Sequence, residues 1–295
     1  MIALPMHPEI MLRNRDLALR RIRQAMKLAE HRGVRILGLG GLISSLSQGG
    51  LLLKENTRLN LTTGHALTAH IVTQNIIQIL PIIGESPAEV NIAIVGAAGS
   101  ISSTSGLILA KAGFKKFTLI DLERKLPKTT DLKKELELYG SNVKISANLF
   151  DLKNADYIIT ATNAPETLVK AIHLSPGAII VDDAQPSDVD NDVLANENFL
   201  VLSGGVVDTP GINTHFNMGL QKKSENYSCM GELLCLAAKE YNSDYVIARA
   251  TLGDVDTIQS IFYSLGFKLA NFQNSNGYIT EEQIKHVASL RKRIP

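Results

Sequence analysis

The most constraining feature of this chain is the stretch Ile92-Ala93-Ile94-Val95-Gly96-Ala97-Ala98-Gly99-Ser100-Ile101-Ser102. An apolar, β-prone run over residues 90–95 ends in two glycines, and a helix is predicted directly after them, over 102–112. A strand that turns this sharply into a helix leaves the first helical N–H groups unpaired and a partial positive charge behind them. Downstream, residues 117–121, 143–145, 157–160, 178–182 and 199–202 read as further short strands, with a polar helix near 132–139. The connections are of crossover length, some too short for a full helix. Strands alternating with crossovers imply a parallel sheet covered on both faces. The expected fold class is α/β: a doubly wound, parallel-sheet Rossmann domain inserted in a second, mainly helical domain.

The flanks supply that second domain. Leu17, Leu19, Ile22, Met26, Leu28 and Ala29 recur at helical spacing over residues 14–31, and Gly33 stops the helix. An apolar run over 34–39 enters Gly40-Gly41 as a strand, and a helix over 66–79 ends at Pro81. After Gly204 the chain reads as helical, near 227–241, 254–265 and 281–291. The expected organisation is 1–87 as the N-terminal part of a substrate-binding catalytic domain, 88–204 as the dinucleotide-binding domain, and 205–295 as its helical C-terminal part. The cleft between them would hold the substrate.

Thirty basic and 29 acidic residues leave a formal net charge of +1, which gives no footprint for nucleic acid. The run Arg291-Lys292-Arg293 reads as a solvated helix end. Residues 1–10 lack the basic and apolar regions of a signal peptide, and no stretch is expected to reach the roughly 18 uncharged apolar residues of a membrane span. Two cysteines, Cys229 and Cys235, make neither a disulfide framework nor a paired metal site. A reducing, cytoplasmic setting is expected, with a greasy pocket or a homo-oligomer interface both compatible with the composition.

Glycines at Gly96 and Gly99 let the backbone come close to a pyrophosphate, and Ser102 stands where a third small residue lets the helix pack on its strand. Asp121 ends the next strand, where a carboxylate accepts hydrogen bonds from an adenosine ribose. The loop Thr160-Ala161-Thr162-Asn163-Ala164-Pro165 follows a strand on the nicotinamide side. The candidate cofactor contacts are therefore Gly96, Ala98, Gly99, Ser100, Ile101, Asp121, Thr160, Ala161 and Thr162. The expected cofactor is NAD or NADP. Asp121 favours NAD, whereas Arg124 and Lys125 could hold a 2′-phosphate.

Residues 37–45 (LGLGGLISS), 61–69 (LTTGHALTA), the 96–102 loop, 202–208 (LSGGVVD) and 227–232 (YSCMGE) occur in this order. Together they resemble the long-chain acyl-[acyl-carrier-protein] reductases of the cyanobacterial type, which reduce a fatty acyl thioester to an aldehyde. The resemblance spans residues 8–271. It implies that Cys229 attacks the thioester and carries the acyl group, and that a hydride then releases the aldehyde. It also implies an acyl thioester substrate, on coenzyme A or on an acyl carrier protein as partner. The chain departs from the family in lacking a sizeable N-terminal portion, in its end from residue 273, and in carrying Asp121.

Periodicity alone reads both cysteines as small packing residues flanking a stripe of Met230, Leu233, Leu234, Ala237, Ala238 and Tyr241. Cys229 would lie in the first helical turn, capped by Asn226 or Ser228, where helix N–H groups favour a thiolate. Cys235 reads as structural. His65 is a candidate general acid or a structural histidine. Thr63 and Thr68 either bind a phosphate or cap a helix, and Asp208, by the resemblance, is a candidate for orienting a substrate or cofactor group. Glu232, one turn after Cys229, either steers a proton or is an exposed helix carboxylate, the reading preferred. Asp182 and Asp183 face opposite sides of their strand, which argues against joint acid–base work. Two other functions fit the residues: a non-covalent dehydrogenase of a small polar metabolite, of the shikimate dehydrogenase or glutamyl-tRNA reductase architecture, and a non-catalytic dinucleotide sensor.

Overall fold

The computed structural model describes residues 1–55 and 57–291. The chain opens with α1 (Pro8–Arg13) and α2 (Arg15–His31). Asn14 separates them and caps α2, its side chain accepting from the Leu17 N–H. Ala18, Leu19, Ile22, Met26 and Ala29 form the buried stripe of α2, at the spacing the sequence predicts. There follow β1 (Ile36–Gly38), the short α3 (Leu42–Leu46) and α4 (Leu51–Lys54), and β2 (Asn60–Thr62), which pairs in parallel with β1.

Helix α5 (His65–Ile83) runs through Pro81 and ends at Gly84, whose φ of +71° is open to glycine. Pro81 was expected to stop it. The proline lies in the last turn on an exposed position, where water can satisfy the carbonyl it leaves unpaired. By length and composition α5 could cross a membrane (19 residues, mean hydropathy 1.4), contrary to the expectation that no stretch would qualify. It is instead a core helix, two-thirds buried and packed on four later helices.

The central unit comprises β3 (Asn91–Val95), α6 (Ser100–Lys111), β4 (Lys116–Ile120), α7 (Leu126–Glu137), β5 (Asn142–Ser146), β6 (Tyr157–Thr160), β7 (Ile179–Asp182), α8 (Asn191–Leu194) and β8 (Leu200–Ser203). All six strands are parallel, in the order β5-β4-β3-β6-β7-β8. Strand order reverses between β3 and β6, which opens a crevice at their C-terminal ends. Ile92, Ile94, Ile159 and Val181 point to one core, with Ile76 and Ile79 of α5 above them; Ala93, Val95, Ile158 and Ile180 point to the other. Both faces are apolar because both are covered, so these strands read as continuous runs rather than alternating ones.

The C-terminal region contains β9 (Val206–Asp208), β10 (Glu225–Tyr227), α9 (Ser228–Ala238), α10 (Leu252–Ser264), β11 (Lys268–Leu269), β12 (Gln273–Asn274), β13 (Gly277–Tyr278) and α11 (Glu281–Ser289). Besides the expected helices it forms an antiparallel sheet, β10-β9-β11, that the sequence reading missed. The predicted apolar stripe of α9 is also corrected. Its buried face is Ser228, Gly231, Glu232, Cys235 and Leu236, while Ala237 and Ala238 are exposed. A buried Glu232 defeats a pattern that sorts residues by polarity.

Arg291 is likewise not a solvated helix end. Its side chain is 6% exposed, and Nη1 donates to both Glu85 carboxylate oxygens at 2.6 and 2.7 Å. Nε donates to the Gly177 carbonyl and Nη2 to that of Asp156, while the guanidinium lies 4.6 Å from the Tyr157 ring centre. Lys292 and Arg293 lie outside the described residues.

Candidate functional site

The crevice is built first from the turn after β3. Gly96 has φ +74°, and a β-carbon there would stand 2.8 Å from Thr162 Cγ2, so both the backbone and the loop after β6 require glycine. At Gly99 a β-carbon would meet the Gly96 carbonyl at 3.0 Å. Gly99 starts α6 with no side-chain cap, so the N–H groups of Ser100, Ile101 and Ser102 precede the first intrahelical acceptor. Ser100 Oγ accepts from the Ala250 N–H at 3.1 Å, which leaves its own hydrogen to donate outward. Ser102 is fully buried and donates to the Val95 carbonyl, seating α6 on β3.

Asp121 lies just past β4 with its side chain 3% exposed. Its Oδ2 accepts from the Ala98 N–H and its Oδ1 from the Leu122 N–H, both at 2.8 Å, and Lys125 Nζ stands 3.7 Å from Oδ1. It therefore braces the glycine turn and keeps lone pairs for a further donor. On the opposite wall, Thr160 Oγ1 donates to Asp182, and the Thr162 N–H and hydroxyl both donate to Asp188. Burial pushes Asp188 up to about 6. The Ala161 carbonyl faces Gly96 and Gly99. These residues gather at the C-terminal ends of β3, β4 and β6, and the uncapped helix start with its close-approach glycines fits a dinucleotide pyrophosphate.

A second cluster forms around Cys229. A β-carbon on Gly64 (φ +80°) would stand 2.4 Å from Cys229 Cβ, and one on Gly40 would stand 3.6 Å from Sγ. Two glycine segments far apart in sequence thus interlock with the first turn of α9. The backbone N–H groups of Met230 and Gly41 favour the Cys229 thiolate. Burial, and then the nearby Asp183 carboxyl, outweigh them and push the thiol up to about 11, the reverse of the expected activation by the helix start. Tyr227 takes the N-cap position without a side-chain cap bond, its hydroxyl donating instead to the Met218 carbonyl. Neither expected cap serves there, because Asn226 donates to Thr209 and Ser228 pairs with Thr68. Cys235 is fully buried in the apolar core.

His65 is the first residue of α5. Its Nε2 lies 2.8 Å from Ser44 Oγ in α3, while Nδ1 is buried without a partner among the described residues. Burial pushes the ring down to about 4, so it is neutral near pH 7 and can donate only through an N–H. Thr63 Oγ1 is buried without a partner among the described residues; Thr68 bonds back to the Gly64 carbonyl inside α5. Neither caps a helix. Asp208, on β9, has a buried Oδ1 with no partner among the described residues.

Glu232 is fully buried, not exposed. It accepts from the Thr62 hydroxyl and from the Leu67 N–H at 2.9 Å, and so caps the start of α5 from a different helix. Burial pushes its carboxyl up to about 7, against hydrogen bonds that act in the opposite direction. Because this value exceeds the unfolded one of 4.5, its contribution to stability is full below about pH 4.5 and is lost as pH rises through about 7. Glu232→Gln is expected to remove that loss, closing its stability gap to the native chain between about pH 5 and pH 8. Glu232→Ala leaves two buried donors without acceptors, at about 1–3 kcal/mol each, at both pH values. Denaturant unfolding of the three proteins measures this. A glutamine variant that tracks the native chain at both pH values would contradict it.

Asp182 and Asp183 do face opposite ways, as strand alternation requires. Asp182 turns to Thr160 and Ser187. Asp183 turns to Gly205, where a β-carbon would stand 2.2 Å from Oδ1 and 2.9 Å from Ser228 Oγ. The alternation rules out a dyad, and it is also what delivers Asp183 to the cysteine cluster. Ser44 is the residue here that sequence reasoning passes over; it reads Asp183 as a strand-end carboxylate and prefers a helix-surface carboxylate for Glu232.

Residues 80–203 match the family described as Shikimate / quinate 5-dehydrogenase. Over 224 residues the chain is 27% identical to the aminotransferase PigE of Serratia sp. (strain ATCC 39006), covering 74% of this chain and 26% of that protein. Over 211 residues it is 27% identical to the long-chain acyl-[acyl-carrier-protein] reductase of Synechococcus elongatus, covering 68% of this chain and 60% of that protein. The chain thus spans about a quarter and three-fifths of the lengths of these relatives. Among solved structures, it is similar to the nucleotide binding domain of glutamyl-tRNA reductase from Thermoplasma volcanium (20% identity, TM-score 0.32, 45% of this chain and 84% of that chain). It is also similar to quinate dehydrogenase from Corynebacterium glutamicum in complex with NAD (18% identity, TM-score 0.33, 41% and 44%). With its six-stranded parallel sheet, the chain carries a Rossmann domain of the NAD(P)-dependent dehydrogenase type.

Proposed function

We propose that this protein is a nicotinamide-dependent reductase that converts an acyl thioester to an aldehyde through an acyl group carried on Cys229. The carrying observation is the interlock of Gly40, Gly64 and Cys229 beside the strand ends: the Ser228 N–H donates to the Gly205 carbonyl, and Gly204-Gly205 directly follow β8. This supports reading the Cys229 sulfur as a nucleophile that would meet the nicotinamide half of a bound dinucleotide. The Gly41 and Met230 N–H groups, which favour the thiolate, would also favour an oxyanion formed on a carbonyl carbon bonded to the sulfur.

NAD or NADP would be held by the N–H groups of Ser100 and Ile101 and the outward hydrogen of Ser100 on the pyrophosphate. Asp121 would accept from a ribose hydroxyl, and Gly96, Ala98, Gly99, Thr160, Ala161 and Thr162 would line the dinucleotide. When bound, the cofactor supplies hydride chemistry. His65, neutral and bonded to Ser44, would orient the leaving thiol rather than act as a charged acid. The acyl carrier, whether coenzyme A or a carrier protein, is part of this reading, as is a reducing, cytoplasmic setting that keeps both free cysteines as thiols.

A second reading is favoured by one observation. Burial holds Cys229 as a thiol, which suits a non-covalent dehydrogenase of a small polar metabolite. Acyl-coenzyme A-dependent oxidation of NADH or NADPH, with the aldehyde identified, separates the two. The proposal expects aldehyde formation that stops on alkylation of Cys229. Turnover of a polar hydroxy or keto acid that ignores alkylation would overturn it.

A further inference from the structure

We propose that the outward face of α2, with α4 beside it, is a docking surface for an anionic phospholipid bilayer. The inference goes beyond the thioester reading and does not rest on it. It starts from an uneven distribution of charge. Residues 1–60 hold ten Lys or Arg against four Asp or Glu, and eight of the chain's twelve arginines. Residues 61–295 hold twenty basic against twenty-five acidic residues. The net charge of +1 therefore conceals a basic pole on an otherwise acidic molecule.

The fold gathers that charge on one side. Ala18, Leu19, Ile22, Met26 and Ala29 turn inward. At ~100° per residue, Arg20, Arg21, Arg23, Lys27, Leu28 and His31 then point outward, and all six are exposed. No acid interrupts this face after Asp16, because Glu30 turns aside to accept from the Thr57 hydroxyl and the Arg58 N–H. Arg20, Lys27, Arg32 and Arg35 carry no ion pair or side-chain hydrogen bond among the described residues, so their charge is free for a ligand. Arg23 Nη2 donates to the Leu52 carbonyl at 3.1 Å, which holds α4 along one border of the face. There Leu51 and Leu52 are 49% and 37% exposed, and Leu28 within the face is 46% exposed.

Three features select a bilayer among anionic partners. Arginine forks match phosphate oxygens, the groups a phospholipid surface presents. The cations run the length of a 17-residue helix, about 25 Å, a breadth that a planar surface meets all at once. Exposed leucines stand among them, and apolar side chains gain by entering the headgroup region, whereas a water-solvated polyanion offers them nothing. Residues 1–60 contain no Phe, Tyr or Trp on which nucleic-acid bases would stack. The attachment is peripheral, since the apolar side of α2 stays in the core. It also ties the cysteine cluster to the surface: Arg15 Nε donates to the Leu46 carbonyl of α3 at 2.9 Å, and Ser44 of α3 meets His65 at 2.8 Å.

The test is co-sedimentation of the full chain with vesicles of phosphatidylcholine alone and with about one-third phosphatidylglycerol. Binding to the anionic vesicles is expected to be about ten-fold tighter or more at low salt, and to fall away toward about 0.5 M salt. Arg20→Glu with Lys27→Glu should weaken it about 20-fold or more. Lys128→Glu with Lys239→Glu makes the same change in net charge at exposed lysines outside the face, and should weaken it less than about three-fold. Leu51→Ser with Leu52→Ser should weaken it about three-fold or more, and covers the case in which charge reversal disturbs α2. Equal binding to both kinds of vesicle, or equal effects of the two charge-reversed pairs, overturns the proposal. So does binding of an acidic carrier protein or duplex DNA through Arg20 and Lys27 by a chain that ignores the vesicles. Failure of acyl transfer in the same preparation bears on the thioester reading alone.

Discussion

Cys229→Ala is expected to reduce aldehyde formation from an acyl thioester by about 10³-fold or more, while leaving NAD or NADP affinity unchanged within about two-fold. The two halves of this expectation come from different parts of the fold. The proposed nucleophile sits at the start of α9, against Gly40 and Gly64. The dinucleotide turn stands on β3 and α6 and is braced by Asp121. An alanine at 229 removes only the sulfur from a site where Cβ is already in contact with Gly64, so packing is conserved. Cys229→Ser retains a hydroxyl but not a group that exchanges readily with thioesters, and it should be nearly as impaired. Steady-state turnover and cofactor titration check both halves. Retained turnover in the alanine variant would eliminate the covalent route, and loss of cofactor binding would show that the two clusters are not separable.

The largest effect on stability is expected at Arg291. Its guanidinium, 6% exposed, meets a Glu85 side chain that is 4% exposed, with Tyr157 beneath and the Gly177 and Asp156 carbonyls around it. Arg291→Ala strands the Glu85 carboxylate in a desolvated place without its cation, a loss of about 3–5 kcal/mol. Replacing both members of the pair with apolar residues of similar size should cost much less, because the uncompensated charge goes with the arginine. Denaturant unfolding of the single and double variants measures the difference. A single variant within about 1 kcal/mol of the native chain would contradict this account. The same contact fastens the end of α11 to the N-terminal edge of the sheet, so truncation before residue 291 should behave like the substitution.

What was legible in the sequence was whatever rests on local pattern. The inner strands of the sheet could be read because they are short apolar runs buried on both faces, and the turn at Gly96 because a strand and a helix leave little choice of residue. The edge strand β5, with exposed Asn142 and Lys144, was legible only over residues 143–145. Cys229 was another matter. Its periodicity pointed to packing, and only the resemblance carried by the two glycine segments singled it out, because the contacts of Gly40 and Gly64 with α9 join residues more than 160 positions apart in sequence. The same limit hid Glu232, which looks like a surface carboxylate until the start of α5 is brought over it. It hid Arg291 as well, whose partner Glu85 is 206 positions away. Asp183 was read correctly as facing away from Asp182, but what it faces instead is set by Gly205 on the next strand's loop. Sequence patterns report which face a residue takes; long-range packing decides what that face meets.

The central claim is that Cys229 carries the acyl group. Intact-protein mass spectrometry of the native chain, incubated with a series of acyl-coenzyme A thioesters and no cofactor, tests it directly. The account predicts a mass gain of one acyl group that is absent in Cys229→Ala and lost on addition of NADH or NADPH. An unchanged native mass with coenzyme A thioesters and with a carrier-protein thioester, or an adduct that persists in Cys229→Ala, would contradict it.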